Sequence, residues 1–192
     1  MAELLIFHHA QGLTPGVRAF GERMAAAGHT VHVPDLYDGR TFDTLDEGIA
    51  HAGETGFDTV IARGVAAAEG LPGELVYVGF SLGVMPAQTL AQTRPGTRAA
   101  VLFHSCVDPS AFGAPWPAGV PLQIHIMDRD PLASPPEVDI ETPRKLDADL
   151  EEAELFLYPG DQHLFADEGL PAYDAGAAQA AEARVLELLE RI

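Results

Sequence analysis

The stretch that decides the fold is Leu75-Val76-Tyr77-Val78-Gly79-Phe80-Ser81-Leu82-Gly83, an apolar strand pattern that runs directly into Gly-x-Ser-x-Gly. A helical pattern follows over residues 84–90. In a nucleophile elbow, the strand delivers the serine, the turn holds it in a strained conformation, and the glycines let strand and helix cross closely. The pattern therefore predicts that Ser81 is a nucleophile. Because Pro86 lacks a backbone N–H and falls near the first helical turn, the regular helix is expected to begin late.

The rest of the chain alternates between strand and helix patterns. Further strands are predicted over residues 4–8, 30–33, 99–104, 121–127 and 154–158, and further helices over residues 15–28, 57–69, 143–150 and 173–192. Loops are predicted over residues 36–56, with a short helix among them, over residues 107–120, and at 134–136. Alternation of this kind forms a parallel sheet with helices on both faces. We therefore predict one α/β domain over residues 1–192, with a mostly parallel sheet of about six to seven strands.

Composition and charge limit the classes of function. The 192 residues are 47% hydrophobic, which suffices for the core of one domain. A formal net charge of -18 repels nucleic acid and anionic membranes, so neither is an expected partner. The first residues lack a signal-peptide pattern, and no segment approaches the roughly 20 apolar residues of a membrane span, so we expect a cytoplasmic protein. The single cysteine, Cys106, cannot form an internal disulfide.

Three residues with complementary chemistry each follow the carboxyl end of a predicted strand, namely Ser81, Asp130 and His163. Ligands of open parallel sheets bind at this edge, so we expect the three side chains to meet there. A serine hydroxyl is a poor nucleophile until an imidazole takes its proton, and a carboxylate must hold that imidazole in the right tautomer. The chain order Ser, Asp, His is also the order found in α/β-hydrolases. The pattern predicts a catalytic triad.

Two aspartates compete for the acidic position of this triad. Asp130 stands in the loop ahead of Pro131, whereas Asp128 lies almost within the predicted strand. Asp130 is therefore the preferred acid, and Asp128 stays open as the alternative.

Four further histidines, His8, His9, His104 and His125, lie at or near strand ends and raise the question of a metal site. Zinc requires three or four ligands with groups that orient them. These histidines alternate faces along their strands and no carboxylate motif accompanies them, so we predict no metal and no cofactor. We expect His9 to line a pocket near Ser81, and His104 and His125 to be satisfied within or beside the sheet.

Five segments carry a resemblance to a known family. They are His9-Ala10-Gln11-Gly12-Leu13, Val33-Pro34-Asp35-Leu36-Tyr37, Gly79-Phe80-Ser81-Leu82-Gly83, Asp130-Pro131 and Tyr158-Pro159-Gly160-x-x-His163-x-Phe165. Together they resemble the dienelactone hydrolase family within the α/β-hydrolases, over nearly the full length of the chain. The resemblance implies an α/β-hydrolase fold and hydrolysis of an ester or lactone through an acyl-enzyme. It also implies that the backbone N–H groups of Ala10 and Leu82 form the oxyanion hole.

The sequence departs from the namesake enzymes of that family at three points. They carry a cysteine at the elbow, where this chain has Ser81, and a glutamate where this chain has His9. They also hold a carboxylated lactone with arginines, whereas the acidic region after Tyr37 offers only Arg40 and Arg63. A neutral ester, thioester or lactone is therefore the expected substrate.

The residues around the site leave alternatives open. Besides His9, the aromatic residues Tyr37, Trp116 and Phe165 could line an apolar substrate pocket, or they could cover the core. The same triad could transfer the acyl group to another acceptor, and a non-catalytic ligand-binding protein could keep the same fold. We expect a small ester or lactone as the partner and a monomer or homodimer as the assembly.

Overall fold

The computed structural model describes residues 1–132 and 140–192 and shows a single parallel sheet in them. The described strands are β1 (Glu3–Phe7), β2 (Thr30–His32), β3 (Val76–Phe80), β4 (Ala99–Phe103), β5 (Leu122–Met127) and β6 (Ala153–Tyr158). Their order is β2-β1-β3-β4-β5-β6, and every neighbouring pair is parallel. This confirms the predicted α/β architecture. The strand order reverses between β1 and β3, and ligands of open sheets bind beyond the carboxyl ends of the strands at such a point.

Helices cover both faces of this sheet. They are α1 (Pro15–Ala26), α2 (Leu45–Thr55), α3 (Phe57–Ala66), α4 (Val84–Thr93), α5 (Glu141–Asp149) and α6 (Ala175–Arg191), with short 3-10 turns at Ser81–Gly83 and Pro109–Phe112. Helix α2 is longer than the sequence pattern indicated, and a capping box formed by Thr44 and Glu47 fixes its start. The loop predicted at 134–136 lies outside the described residues. None of the helices in the described ranges is long and apolar enough to cross a membrane.

The core has one layer on each side of the sheet, and alternate strand residues supply both layers. In β1, Leu4 and Ile6 belong to the layer under α1 and α6, together with Phe20 and Val185. Leu5 and Phe7 belong to the opposite layer, to which α2, α3, α4 and α5 contribute. The central strands are buried on both sides, which explains why their sequences are continuously apolar.

Buried histidines link the stability of this core to pH. Burial lowers the pKa of His8 to about 4 and the pKa of His125 to about 3. Burial also holds the pKa of His104 well below its ordinary value. The unfolded chain binds a proton at each of these side chains near pH 6.5, whereas the folded chain keeps them neutral until a much lower pH. The stabilisation that comes from keeping these side chains neutral is therefore fully present above about pH 6.5. It does not hold at lower pH, where the free energy of unfolding decreases as the pH drops toward 4.

We expect His125→Phe to weaken this acid sensitivity. The ring of His125 is stacked on Phe103 and Phe156, so a phenyl ring fits the same stack without a titrating group. The difference in the free energy of unfolding between pH 7 and pH 5, measured by urea denaturation, should shrink by about 2 kcal/mol. Phe156→Leu is the control, because it alters the same stack and should lower stability equally at both pH values. An unchanged difference in His125→Phe would show that His125 is protonated in the folded state.

Candidate active site

The elbow after β3 places Ser81 in a backbone conformation that side chains other than glycine seldom adopt. Ser81 has φ 49°, and it opens the 3-10 turn that precedes α4. A Cβ atom on Gly83 would lie 2.4 Å from the carbonyl oxygen of Phe7, and one on Gly79 would lie 2.5 Å from that of Gly83. Both glycines are therefore required for this close crossing. The α-helix begins at Val84, which confirms the late start expected from the proline in its first turn.

A continuous chain of hydrogen bonds connects Ser81 to a buried carboxylate. The Oγ atom of Ser81 lies 2.7 Å from Nε2 of His163, and Nδ1 of His163 lies 2.7 Å from Oδ2 of Asp130. An ionised carboxylate only accepts hydrogen bonds, so Nδ1 of His163 donates to Asp130 and Nε2 is left to accept from the serine hydroxyl. The side chain of Asp130 is fully buried, and that of His163 is 10% exposed. The structure thus brings together all three residues predicted to form the triad.

The two competing aspartates have different surroundings. Asp130 contacts the His163 ring and also accepts the backbone N–H of Leu132. The Asp128 side chain is 46% exposed and accepts the backbone N–H of Gly160 at 3.0 Å. Asp128 therefore fastens the β5 end to the β6 end, while Asp130 is the aspartate that lies beside the imidazole.

The two backbone amides proposed for the oxyanion hole follow the ends of the adjacent strands β1 and β3. Phe7 of β1 is paired with Gly79 of β3, and Ala10 and Leu82 each stand three positions beyond this pair. Leu82 is the second residue of its 3-10 turn, so its N–H has no partner within that turn. Ala10 is buried in the loop that follows β1. Both amides thus lie at the sheet edge where the strand order reverses.

A second histidine–aspartate pair lies at the same edge. His9 Nε2 contacts Asp167 Oδ2 at 2.7 Å, and both side chains are fully buried. Thr14 Oγ1 donates to the same oxygen at 2.5 Å, and the backbone N–H of Gly169 donates to Oδ1 at 2.8 Å. These donors hold the pKa of Asp167 below its ordinary value although burial opposes this. Sequence reasoning placed His9 at the site but missed Asp167, which no motif marks and which lies 158 positions away.

His104 combines two unfavourable features next to the triad. It has φ 71°, and neither of its buried ring nitrogens has a hydrogen-bond partner among the described residues. The expectation that its hydrogen bonds are satisfied is wrong, whereas His125 is satisfied by Tyr158 and Gln123. The His104 ring lies 5.7 Å from the His163 ring, and burial keeps it neutral by lowering its pKa. It therefore adds no positive charge beside His163.

The sequence of this chain matches a known protein family over nearly its full length. A sequence model of the dienelactone hydrolase family matches residues 2–192. The chain belongs to the dienelactone hydrolase family. As a member of that family it is a hydrolase that acts on ester bonds. No curated protein matches the sequence.

Several solved structures share the fold of this dienelactone hydrolase family member at low identity. A dienelactone hydrolase-like promiscuous phosphotriesterase from metagenomic libraries is 19% identical, with TM-score 0.77 over 100% of this chain and 86% of that chain. A dienelactone hydrolase from Anabaena variabilis is 19% identical, with TM-score 0.70 over 99% of this chain and 86% of that chain. A thermophilic esterase from Thermogutta terrifontis is 19% identical, with TM-score 0.62 over 99% and 83%. These likenesses establish the α/β-hydrolase fold.

In this dienelactone hydrolase family member the candidate pocket aromatics are packed into the core. Tyr37 is 1% exposed, and Phe165 is fully buried with its ring 4.8 Å from that of His104. Trp116 donates its indole N–H to the carbonyl of Val120 and lines a cleft of about 520 Å³ between residues 108–116 and α5. Ser81 and His163 are not among the residues that line that cleft. Substrate binding by His9, Tyr37, Trp116 and Phe165 stays a prediction.

Three further features of the hydrolase bear on what the site can bind. Arg63 donates to the carbonyl of Leu36 and pairs with Asp38 at 3.1 Å, so its guanidinium is already engaged. His8 contacts the backbone on both sides, through the carbonyl of His9 and the N–H of Leu36. Within residues 1–132 and 140–192, no group of three or more histidine, cysteine or acidic side chains could hold a metal ion.

Proposed function

We propose that Ser81, His163 and Asp130 form a catalytic triad that hydrolyses small carboxylic esters or lactones through an acyl-enzyme. The observation that carries this proposal is the unbroken hydrogen-bond chain from Ser81 through His163 to Asp130, with 2.7 Å at each step. The serine stands at a strained elbow, which is the setting that presents a nucleophile in α/β-hydrolases. Family membership supports the ester bond as the bond that is broken.

Acylation begins when the Oγ atom of Ser81 attacks the substrate carbonyl carbon while Nε2 of His163 takes the hydroxyl proton. Asp130 holds the imidazole in the reactive tautomer and stabilises the positive charge that forms on it. The negative charge on the carbonyl oxygen is met by the N–H groups of Leu82 and Ala10, each contributing about 3 kcal/mol at the transition state. His163 then gives the proton to the departing alcohol oxygen.

Deacylation repeats these steps with water as the nucleophile. Nε2 of His163 takes a proton from the water, whose oxygen attacks the acyl carbon. The intermediate collapses, the proton returns to Ser81 and the carboxylic acid leaves. The neutral state of His104 favours both steps, because a second charged imidazole 5.7 Å away would oppose the charge on His163.

A neutral substrate of small size fits the charges of this chain best. The net charge of -18 disfavours anionic substrates in general. Arg63, one of two arginines in the region after Tyr37, is engaged by Leu36 and Asp38, so it does not offer a free fork for a substrate carboxylate. The Thermogutta terrifontis relative in fold is an esterase with bound butyrate. We therefore propose short-chain neutral esters and unsubstituted lactones as the substrate class.

A fluorophosphonate probe tests the assignment of the nucleophile directly. We expect one probe molecule per chain, found by peptide mass spectrometry on Ser81, because only an activated hydroxyl displaces fluoride at neutral pH. Ser110, which is exposed and lies outside the hydrogen-bond chain, is the internal control and should stay unmodified. A parallel panel of p-nitrophenyl esters and lactones would rank the substrates. Hydrolytically active protein that carries no probe on Ser81 would contradict the proposal.

A further inference from the structure

The buried carboxylate of Asp167 joins the two loops that the proposed mechanism uses. We call residues 9–12 the oxyanion loop, because they include Ala10, and residues 163–170 the histidine loop. We infer that Asp167 and His9 are positioning residues. They hold the oxyanion loop at a fixed distance from His163, so that the N–H of Ala10 and the imidazole of His163 act on the same substrate carbonyl. The inference rests on the proposed function. It adds to the catalytic triad a second His–Asp pair, which does not itself react.

Every oxygen of the Asp167 carboxylate is engaged within the described structure. Oδ2 accepts from His9 at 2.7 Å and from Thr14 at 2.5 Å, and Oδ1 accepts the N–H of Gly169 at 2.8 Å. A Cβ atom on Gly16 would lie 1.7 Å from Oδ1, so the start of α1 packs directly on the carboxylate. Enclosure of this kind leaves no room for the carboxylate to shift without moving both loops.

On one side, the pair fixes the oxyanion loop. Nδ1 of His9 accepts the backbone N–H of Gln11, so the proton of the neutral ring sits on Nε2 and points at Asp167. The backbone N–H of Phe42 donates to the carbonyl of Gln11, and the side chain of Gln11 donates back to the carbonyl of Phe42. Gly48 of α2 covers the carbonyl of Ala10, where a Cβ atom would lie at 2.1 Å. These contacts set the peptide planes on both sides of Gln11.

On the other side, the pair fixes the histidine loop. Asp167 follows His163 after three buried residues, Leu164, Phe165 and Ala166. The backbone N–H of Asp167 donates to the carbonyl of Leu164, and its own carbonyl accepts the N–H of Leu170. The carboxylate thus anchors a tight turn that begins at Leu164, directly after the proposed base. A displacement of the Asp167 carboxylate would move His163 relative to Ala10, although the hydrogen bonds of this carboxylate go to His9, Thr14 and Gly169.

Steady-state kinetics of Asp167→Asn and His9→Gln test this role. Asparagine keeps the shape, but its N–H₂ group must face either His9 and Thr14 at the Oδ2 position or Gly169 at the Oδ1 position, so donor faces donor and the loops shift apart. We expect kcat for a p-nitrophenyl ester to fall by about 10- to 100-fold in Asp167→Asn, with KM changing by less than about threefold. His9→Gln should lose less, because glutamine can still donate to Asp167, although its amide oxygen does not replace the ring Nδ1 that accepts from Gln11. The controls are Glu3→Gln and His32→Gln, since Glu3 of β1 and His32 of the outer strand β2 form a similar pair at 2.8 Å; both should keep wild-type kcat.

Two readouts separate positioning from a general loss of folded protein. Fluorophosphonate titration counts competent Ser81 sites, and kcat is expressed per labelled site. A boronic acid that forms a tetrahedral adduct should bind more weakly in proportion to the loss of kcat. Wild-type kcat per labelled site in Asp167→Asn, or loss only through fewer labelled sites, would overturn the inference while the proposed function stands. Failure of the wild type itself to label at Ser81 would instead remove the proposed function.

Discussion

Replacement of Ser81 by alanine is expected to lower kcat/KM for a short-chain p-nitrophenyl ester by about 10⁴- to 10⁶-fold. The reason is that no acyl-enzyme can form without the hydroxyl, and His163 then has only water to deprotonate. The remaining activity reflects the oxyanion donors and substrate binding alone. The measurement compares initial rates of the purified wild type and variant at several enzyme concentrations. The rate without enzyme is measured in parallel and subtracted.

The Ser81→Ala variant should fold normally, because the change removes a single hydrogen bond, to Nε2 of His163, at a partly buried position. The melting temperature of this variant is therefore measured as well, and it should stay close to that of the wild type. Ser110→Ala is the matched control on an exposed 3-10 turn and should retain full activity. Activity in Ser81→Ala within tenfold of the wild type would show that another group attacks the substrate.

The sequence alone predicted those features that depend on local pattern. The central strands β3 and β4 are continuously apolar because both faces of the sheet are covered there, so their existence could be predicted from short windows of sequence. The elbow could be predicted because Gly79 and Gly83 are required by contacts of less than 3 Å, which no other residue can meet. His163 and Asp130 could be predicted from their places after successive strands, since parallel strands bring their carboxyl ends to one edge.

Features that depend on distant pairing could not be predicted. Asp167 follows a buried run in a loop, and nothing near it in sequence shows that His9 and Thr14 approach it from the other end of the chain. The unsatisfied nitrogens of His104 likewise follow from the apolar rings that surround it, among them Phe80 and Phe165. A histidine at a strand end has the same local pattern whether it is satisfied or not.

The bounds of the loop elements show a similar limit. Residues 36–56 are mixed in polarity, and the structure places an α-helix over more than half of them. Its capping box could have been recognised from Thr44 and Glu47, which have the required spacing. The aromatic residues Tyr37 and Phe165 gave no such signal, because aromatic residues in loops occur both in pockets and over cores.

Replacement of Asp130 by asparagine is expected to lower kcat by about 10³- to 10⁴-fold, the second large effect. An asparagine amide would donate to Nδ1 of His163, which moves the ring proton to Nε2 and leaves that nitrogen unable to accept from Ser81. The geometry at 2.7 Å makes this exchange of donor and acceptor unavoidable unless the amide turns away.

Asp128→Asn is the matched control in the same turn. Its side chain is 46% exposed and contacts the backbone N–H of Gly160 and the guanidinium of Arg129, both away from the imidazole, so we expect less than about a threefold loss of kcat. The two variants are compared with the same ester, with labelled sites counted by fluorophosphonate. A larger loss in Asp128→Asn than in Asp130→Asn would reverse the assignment of the acid, because it would mean that the loop turns Asp128 toward the imidazole when substrate is bound.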